Sequence, residues 1–230
     1  MESLLAISRD ISQLLAEPQF SQLYMEHFTD QAKASPPHKR SIDSHPPTVH
    51  RVIKALQHLG ISNVSRIYHV PSDYYSWPTY QRALHMTVPS PAHLCKSVVM
   101  KNKGWRPEHP GHQYYCVMVQ YTHTINTATM IDWVRDLDGE KKVAKKHYNF
   151  RLADSEVSLE LTGFKKGGVS PFGVITEIPI ILCESITSLQ PPVFWMGAGD
   201  IDYKLAMPVK SFVNATKCMI ADISVFVNEQ

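Results

Sequence analysis

The chain has 230 residues, 43% hydrophobic and 19% charged, a composition that supports a packed core and argues against wholesale disorder. Lys and Arg number 23 against 21 Asp and Glu, for a formal net charge of +2. Such a near-neutral balance excludes a protein that coats nucleic acid by bulk charge, so any RNA contact must be a local basic patch.

At ~100–200 residues per domain, the length suggests one main domain with an appendage. Cys95, Cys116, Cys183 and Cys218 are widely spaced and form no C-x-x-C pair, which fits a reducing compartment rather than a disulfide scaffold or zinc knuckle. Glu2, Arg9 and Asp10 fall where a signal peptide needs an uninterrupted apolar stretch. No apolar run approaches the ~20 residues that cross a bilayer. The expectation is a soluble cytosolic protein with no membrane partner.

In chain order, residues 1–33 read as an N-terminal helical extension. Leu4, Ile7, Ile11 and Leu14 recur at helical spacing, Pro18 interrupts the pattern, and Phe20, Leu23 and Phe28 resume it. The repeat is too short for a coiled coil, so a helix docked on its own domain is favoured over a partner-binding helix. Residues 34–47, ASPPHKRSIDSHPP, hold four prolines and read as a linker. Residues 48–230 then form the main domain. Thr48 is placed to cap a helix through Leu59, with Val49, Val52, Ile53 and Leu56 on one face and Gly60 ending it.

Further on, residues 65–70 read as a strand, 79–86 as a short helix, and Lys96 to Met100 as the start of a strand. Residues 104–112, GWRPEHPGH, are a loop by their Gly and Pro content. YYCVMVQYT (114–122) is the clearest buried strand. Residues 127–137 read as a helix with Met130, Ile131, Val134 and Leu137 on one side, and EKKVAKKH (140–147) as a basic helix. Strands are expected at 178–183, 193–196 and 220–226, with a short helix over 208–215 that has Pro in its first turn. Intermixed strands and helices imply a mixed α/β fold.

Chemistry concentrates in TGFKKGGVSPFG, residues 162–173. Gly163, Gly167, Gly168 and Gly173 are four of the chain's ten glycines. Glycine allows positive φ and close approach of a ligand to the backbone, and successive N–H groups in such a loop can converge on an anion or a polarised carbonyl. One or two glycines would suit a plain turn; a G-G-x-S-P core beside Lys165 and Lys166 suits it less. Neither G-x-G-x-x-G nor G-K-[ST] is present, so no nucleotide fingerprint is involved. The second stretch is HLCKSVVM (93–100), where Lys96 stands at the mouth of an apolar strand. Such a lysine is commonly a snorkelling edge residue; it can also hold a phosphate or orient a carbonyl.

The order K-S-V-V-M, a hydrophobic strand, T-G-F-x-x-G-G-V-S-P-F-G, I-P-I-I-L, M-G-A-G-D and a closing A-D-I-S resembles the YbaK / prolyl-tRNA-synthetase-associated editing domain family. The resemblance spans roughly residues 49–228. Ser97 stands where the family commonly has Thr, and residues 104–112 form a Trp- and Pro-rich insert. The resemblance implies a YbaK-like mixed sheet, partly barrel-like and surrounded by helices. It implies hydrolysis of the ester joining a wrong amino acid to tRNA, of the prolyl type or a related one, with no cofactor and no metal. Lys96 matches the family's functional lysine, and Gly167, Gly168, Val169, Ser170 and Pro171 match its G-x-x-x-P loop. In that picture the loop's N–H groups stabilise the oxyanion, and a tRNA hydroxyl helps activate water, which would account for the lack of a Ser-His-Asp or Cys-His set. Gly163, Gly197, Gly199 and Asp200 are further candidates for substrate contact.

VSLELT (157–162) alternates like a strand, whereas the resemblance implies a helix capped by Asp154 or Ser155. Ser170 reads as a hydrogen-bonding member of its loop before it reads as a nucleophile. Asp200 and Asp202 could meet a substrate amine or simply form an exposed turn, and Cys183 reads as a small core residue. Lys101, Lys103, Arg106, Lys141, Lys142, Lys145 and Lys146, with Lys165 and Lys166, are the candidate contacts to the RNA backbone, although charge runs are often only solvated. Trp105 could stack on a base or pack in its loop. The leading expectation is a free-standing aminoacyl-tRNA deacylase whose pocket is small, with a synthetase as possible partner through the N-terminal helices. The alternative is an inactive tRNA-binding or synthetase-associated module. A Schiff-base lysine enzyme is weak, because nothing marks a pyridoxal phosphate site.

Overall fold

A computed structural model describes residues 2–37 and 45–227; residues 38–44, half of the expected proline-rich linker, lie outside the described residues. Two N-terminal helices, α1 (Glu2–Ala16) and α2 (Pro18–Ala34), break at the proline that interrupts the sequence pattern. They treat their apolar residues differently. On α2, Phe28 is buried edge-on against Trp195, 6.1 Å between ring centroids, and Ala32 is fully buried. On α1, Leu4, Ile7, Ile11 and Leu14 are between 36% and 48% exposed, while Ser8 is buried and Ser12 donates to the Pro89 carbonyl. α1 thus docks on its own domain as expected, but through its small serines rather than its apolar stripe, whose large side chains face outward.

Helix α3 (Pro47–His58) buries Val49, Val52, Ile53 and Leu56, the face its spacing marks. Its N-cap is Pro46, so Thr48 lies inside the first turn rather than capping it. At the other end Gly60 adopts φ +69°, Gly60 N–H donates to Gln57 O and Ile61 N–H to Leu56 O, which closes the helix with a paired turn.

The strands are β1 (Arg66–His69), β2 (Cys95–Asn102), β3 (Tyr114–Gln120), β4 (His123–Ile125), β5 (Phe150–Leu152), β6 (Ile180–Cys183), β7 (Val193–Gly197), β8 (Tyr203–Pro208), β9 (Met219–Ala221) and β10 (Ser224–Phe226). Five form a mixed sheet of order β5-β2-β3-β6-β9, three form β1-β8-β7, and β10 pairs with β4. β2 is antiparallel to β3 and β5, whereas β3–β6 and β6–β9 are parallel. A bridge between Leu94 and Trp195 joins the start of β2 to β7. β3 sits at the sheet centre, which explains why its apolar run is continuous rather than alternating.

The remaining helices are α4 (Thr79–His85), α5 (Thr127–Leu137), α6 (Ser155–Thr162) and α7 (Val209–Thr216). α5 starts from Asn126, whose side chain accepts the N–H groups of Ala128 and Thr129. α6 is the helix the family resemblance implies, not the strand its alternation suggests; Asp154 stands at its N-cap without a side-chain cap bond. The expected basic helix at 140–147 is absent: residues 139–141 and 145–147 form separate single turns. Gly139 at φ +59° breaks the chain there. The expected strand over 220–226 is likewise two short strands, β9 and β10, in different sheets.

The largest buried cluster runs between the five-stranded sheet and α3, α5 and α7, and a second lies beneath α2 around Val70, Tyr74, Ala83, Leu94 and Trp195. No helix among the described residues is long and apolar enough to cross a membrane.

Candidate active site

α6 leads into the glycine-rich loop. Gly163 at φ +72° closes the helix, its N–H donating to Leu159 O, and Thr162 Oγ1 accepts the Phe164 N–H. Phe164 is fully buried under the Arg51 guanidinium, 4.5 Å from its ring centroid, and anchors the loop. At Gly167, φ +90° turns the chain. Gly168 packs so closely on the turn after β7 that an added Cβ would lie 2.8 Å from the Asp200 backbone, and Gly168 O accepts the Gly199 N–H at 2.9 Å. At Gly197 an added Cβ would lie 2.3 Å from Val169 O. Ser170 is fully buried and its Oγ accepts the Phe172 N–H at 3.2 Å, so this hydroxyl shapes the turn. Among the described residues, the N–H groups of Gly167, Val169 and Ser170 donate to no protein acceptor. A rigid loop with free donors can receive an oxyanion.

Gly167 and Val169 line a cavity of about 550 Å³ together with Lys96, Lys166 and Gly197. The volume is ordinary for a small-molecule site, ~300–1,000 Å³. Its other walls include Tyr75, Val99, Tyr121, Leu152 and Ile201, and no carboxylate or imidazole among the described residues lines it. The Lys96 amine lies 5.4 Å from the Tyr121 ring centroid. Burial lowers its pKa from the ordinary value, while neighbouring Cys95 pushes the other way. The Cys95 thiol is driven far up by its own burial and stays protonated at neutral pH. Ser97 lines the cavity, but its Oγ is itself buried and has no hydrogen-bond partner among the described residues.

Of the other residues singled out from sequence, Gly163, Gly168, Ser170, Pro171, Gly199 and Asp200 do not line the cavity. Gly163 is a helix cap. Gly168, Gly199 and Asp200 hold loop and turn together, and Asp200 Oδ1 accepts the Asp202 N–H. Cys183 is fully buried in the core. The Trp105 indole donates to Gly111 O, inside its own loop.

The basic candidates form a separate group. Asn102 Oδ1 accepts N–H groups from both Gly104 and Asn149, tying the loop after β2 to the loop before β5. This gathers Lys103 and Arg106 with Lys141, Lys142, Lys145 and Lys146. Lys101 pairs in register with Arg151, a cation the sequence reading missed. Two of the lysines are already engaged: Lys145 with Asp132 at 2.6 Å and Lys142 with Asp136 at 3.9 Å. Lys165 is exposed beside the glycine loop, and Lys166 reaches the cavity.

A mixed α/β domain whose glycine loop, strand-borne lysine and aromatic walls share one cavity is a ligand-handling domain of the α/β class. The chain belongs to the aminoacyl-tRNA editing domain family, whose family model matches residues 76–214, more than half of its length. Among solved structures, it is similar to a candidate trans-editing enzyme for prolyl-tRNA synthetase, with 21% identity and a TM-score of 0.63, over 79% of this chain and 99% of that one. It is also similar to a scaffold from work on epitope backbone grafting, with 18% identity and a TM-score of 0.62, over 80% and 100%. A hypothetical protein matches with 19% identity and a TM-score of 0.59, over 76% and 99%. These likenesses establish the shared fold. No curated protein matches the chain.

Proposed function

We propose that the protein is an aminoacyl-tRNA deacylase acting in trans. The observation that carries this reading is that Lys96 lines the same cavity as Gly167 and Val169, two loop residues whose N–H groups have no protein acceptor among the described residues. Water adds to the ester carbonyl carbon, and the resulting oxyanion accepts hydrogen bonds from the loop. Collapse breaks the bond to the ribose oxygen, which takes a proton, releasing free amino acid and uncharged tRNA. With no carboxylate or imidazole among the described residues on the cavity wall, the neighbouring ribose hydroxyl of the substrate relays the water's proton. Lys96 supplies positive charge to the developing anion or the terminal phosphate. The apolar walls favour an acyl group with an uncharged side chain.

The basic loops beside Lys101 are the proposed RNA-backbone contact, and the outward stripe of α1 the proposed synthetase contact, in a cytoplasmic setting. The division into a helical extension, linker and editing domain belongs to the same proposal. The test is a panel of tRNAs carrying wrong amino acids, beginning with prolyl tRNA because a structural relative is described in those terms. Loss of the amino acid from at least one is expected. No deacylation of any, at high protein concentration, overturns the enzyme and favours a binding module.

A further inference from the structure

We propose that Lys204 is a positioning residue for the editing loop: from outside the cavity, its buried amine holds both clamps that grip Gly167. This rests on the deacylase reading for its kinetic consequence, and on geometry alone for its structural one.

Lys204 lies in β8 opposite Gly197 and is only 5% exposed. Its Nζ donates to Ile201 O at 2.6 Å and to Tyr203 O at 3.3 Å, fixing the turn between β7 and β8. The same amine lies 4.6 Å from the Tyr75 ring centroid and 5.5 Å from that of Tyr74. Two of the residues it touches, Ile201 and Tyr75, act on Gly167. The Ile201 side chain is so close that a Cβ on Gly167 would lie 3.0 Å from Ile201 Cγ1. From the other side, the Tyr75 hydroxyl donates to Gly167 O at 3.0 Å. Tyr121, whose ring faces Lys96, donates to the Tyr75 hydroxyl at 3.4 Å and joins the same network. One amine thus braces the part of the cavity wall that contains Gly167 and Val169.

A purely stabilising role explains this lysine poorly. Asp200 and Asp202 attract it and Arg82 repels it, yet burial is the largest influence and brings its pKa down to about 7. Hydrophobic replacement of a buried charge is often neutral or stabilising, so what the amine provides here is a fixed arrangement.

The experiment compares full-length wild type with Lys204→Met, and Lys204→Gln, which keeps an N–H donor without the charge. In Lys204→Met, kcat on the charged tRNA that wild type hydrolyses should fall about ten- to a hundredfold with KM little changed, because small misplacements of catalytic groups carry losses of that size. The thermal midpoint at pH 6 should stay level or rise, and Lys204→Gln should lose less activity. Amide exchange in residues 165–171 and 199–203, measured without tRNA, should quicken in Lys204→Met. Unchanged kcat, unchanged exchange, or failure of both variants to fold overturns the proposal. If wild type deacylates nothing while exchange still quickens in Lys204→Met, the deacylase reading fails and the bracing role stands.

Discussion

The two ends of β2 both present lysine, and the surroundings make them different tools. Lys96 stands at the cavity end, half-buried, against an aromatic face with its pKa lowered. Lys101, at the other end, leads into loops where Lys103, Arg106 and four more lysines sit in water, two of them paired with α5 carboxylates. A charge taken out of water interacts strongly over a short distance, whereas exposed charges are screened within about a Debye length, ~8 Å at physiological salt. The cavity end is therefore suited to stabilising a transition state and the loop end to capturing a polyanion. The same residue type at each end says little until burial is known.

Changes that disturb the cavity end should cost most. In Gly197→Ala the new methyl must displace Val169 O, 2.3 Å away, in a backbone that has no room to give. Overpacking of this kind costs roughly 1–3 kcal/mol, so the thermal midpoint should drop as turnover falls to near background. Deacylation that survives with a normal KM would mean that the loop's placement does not matter.

Lys96→Ala comes next. Lys96 makes no ion pair among the described residues, so its loss should leave the thermal midpoint nearly unchanged while turnover falls by about 10²–10³, the scale for losing one transition-state donor. A large stability loss with proportionate activity would reclassify Lys96 as structural.

Lys204 gives the comparison a pH axis. Its folded pKa, about 7, lies below the ordinary 10.5, so between these values the unfolded chain holds one more proton than the folded one. This lysine's contribution to stability therefore rises with pH across that window and is flat below it. Denaturant titrations at pH 6, 7.5 and 9 should show this rise in wild type, and a smaller rise in Lys204→Met. Equal slopes would show that the amine is solvated in solution.

Much of this division was legible in the sequence. The loop at 162–173 and the strand at 114–122 are local patterns, one of clustered glycines and the other of unbroken apolar residues, and both appear where expected. β8 was hidden because Lys204 and Pro208 interrupt its apolar run, although the lysine is itself buried. Tyr75, Tyr121, Leu152 and Ile201 could not be assigned to a pocket, because they come from four separate segments that only strand pairing and the loop–turn contact bring together. α1 misled in the opposite direction. Its stripe is real as a helical pattern, but periodicity reports that a face is apolar and not what covers it.

The loop end of β2 should yield the smallest effect on catalysis and the clearest one on salt. Lys141 and Lys146 are exposed, and neither forms a salt bridge in the structure, so each is available to a phosphate. Each phosphate contact contributes roughly 0.7–0.9 to the slope of log affinity against log salt. In the double variant Lys141→Ala/Lys146→Ala, KM for charged tRNA should rise severalfold at low salt and converge on wild type as salt increases, with kcat unaltered. Lys145→Ala should do less, because its amine already sits 2.6 Å from Asp132 and must leave that carboxylate to reach RNA. A salt slope identical in wild type and the double variant would move the RNA track elsewhere, with Lys165 and Lys166 beside the cavity as the next cations to remove. A fall in kcat instead would mean that the loops at the far end of β2 are mechanically coupled to the cavity.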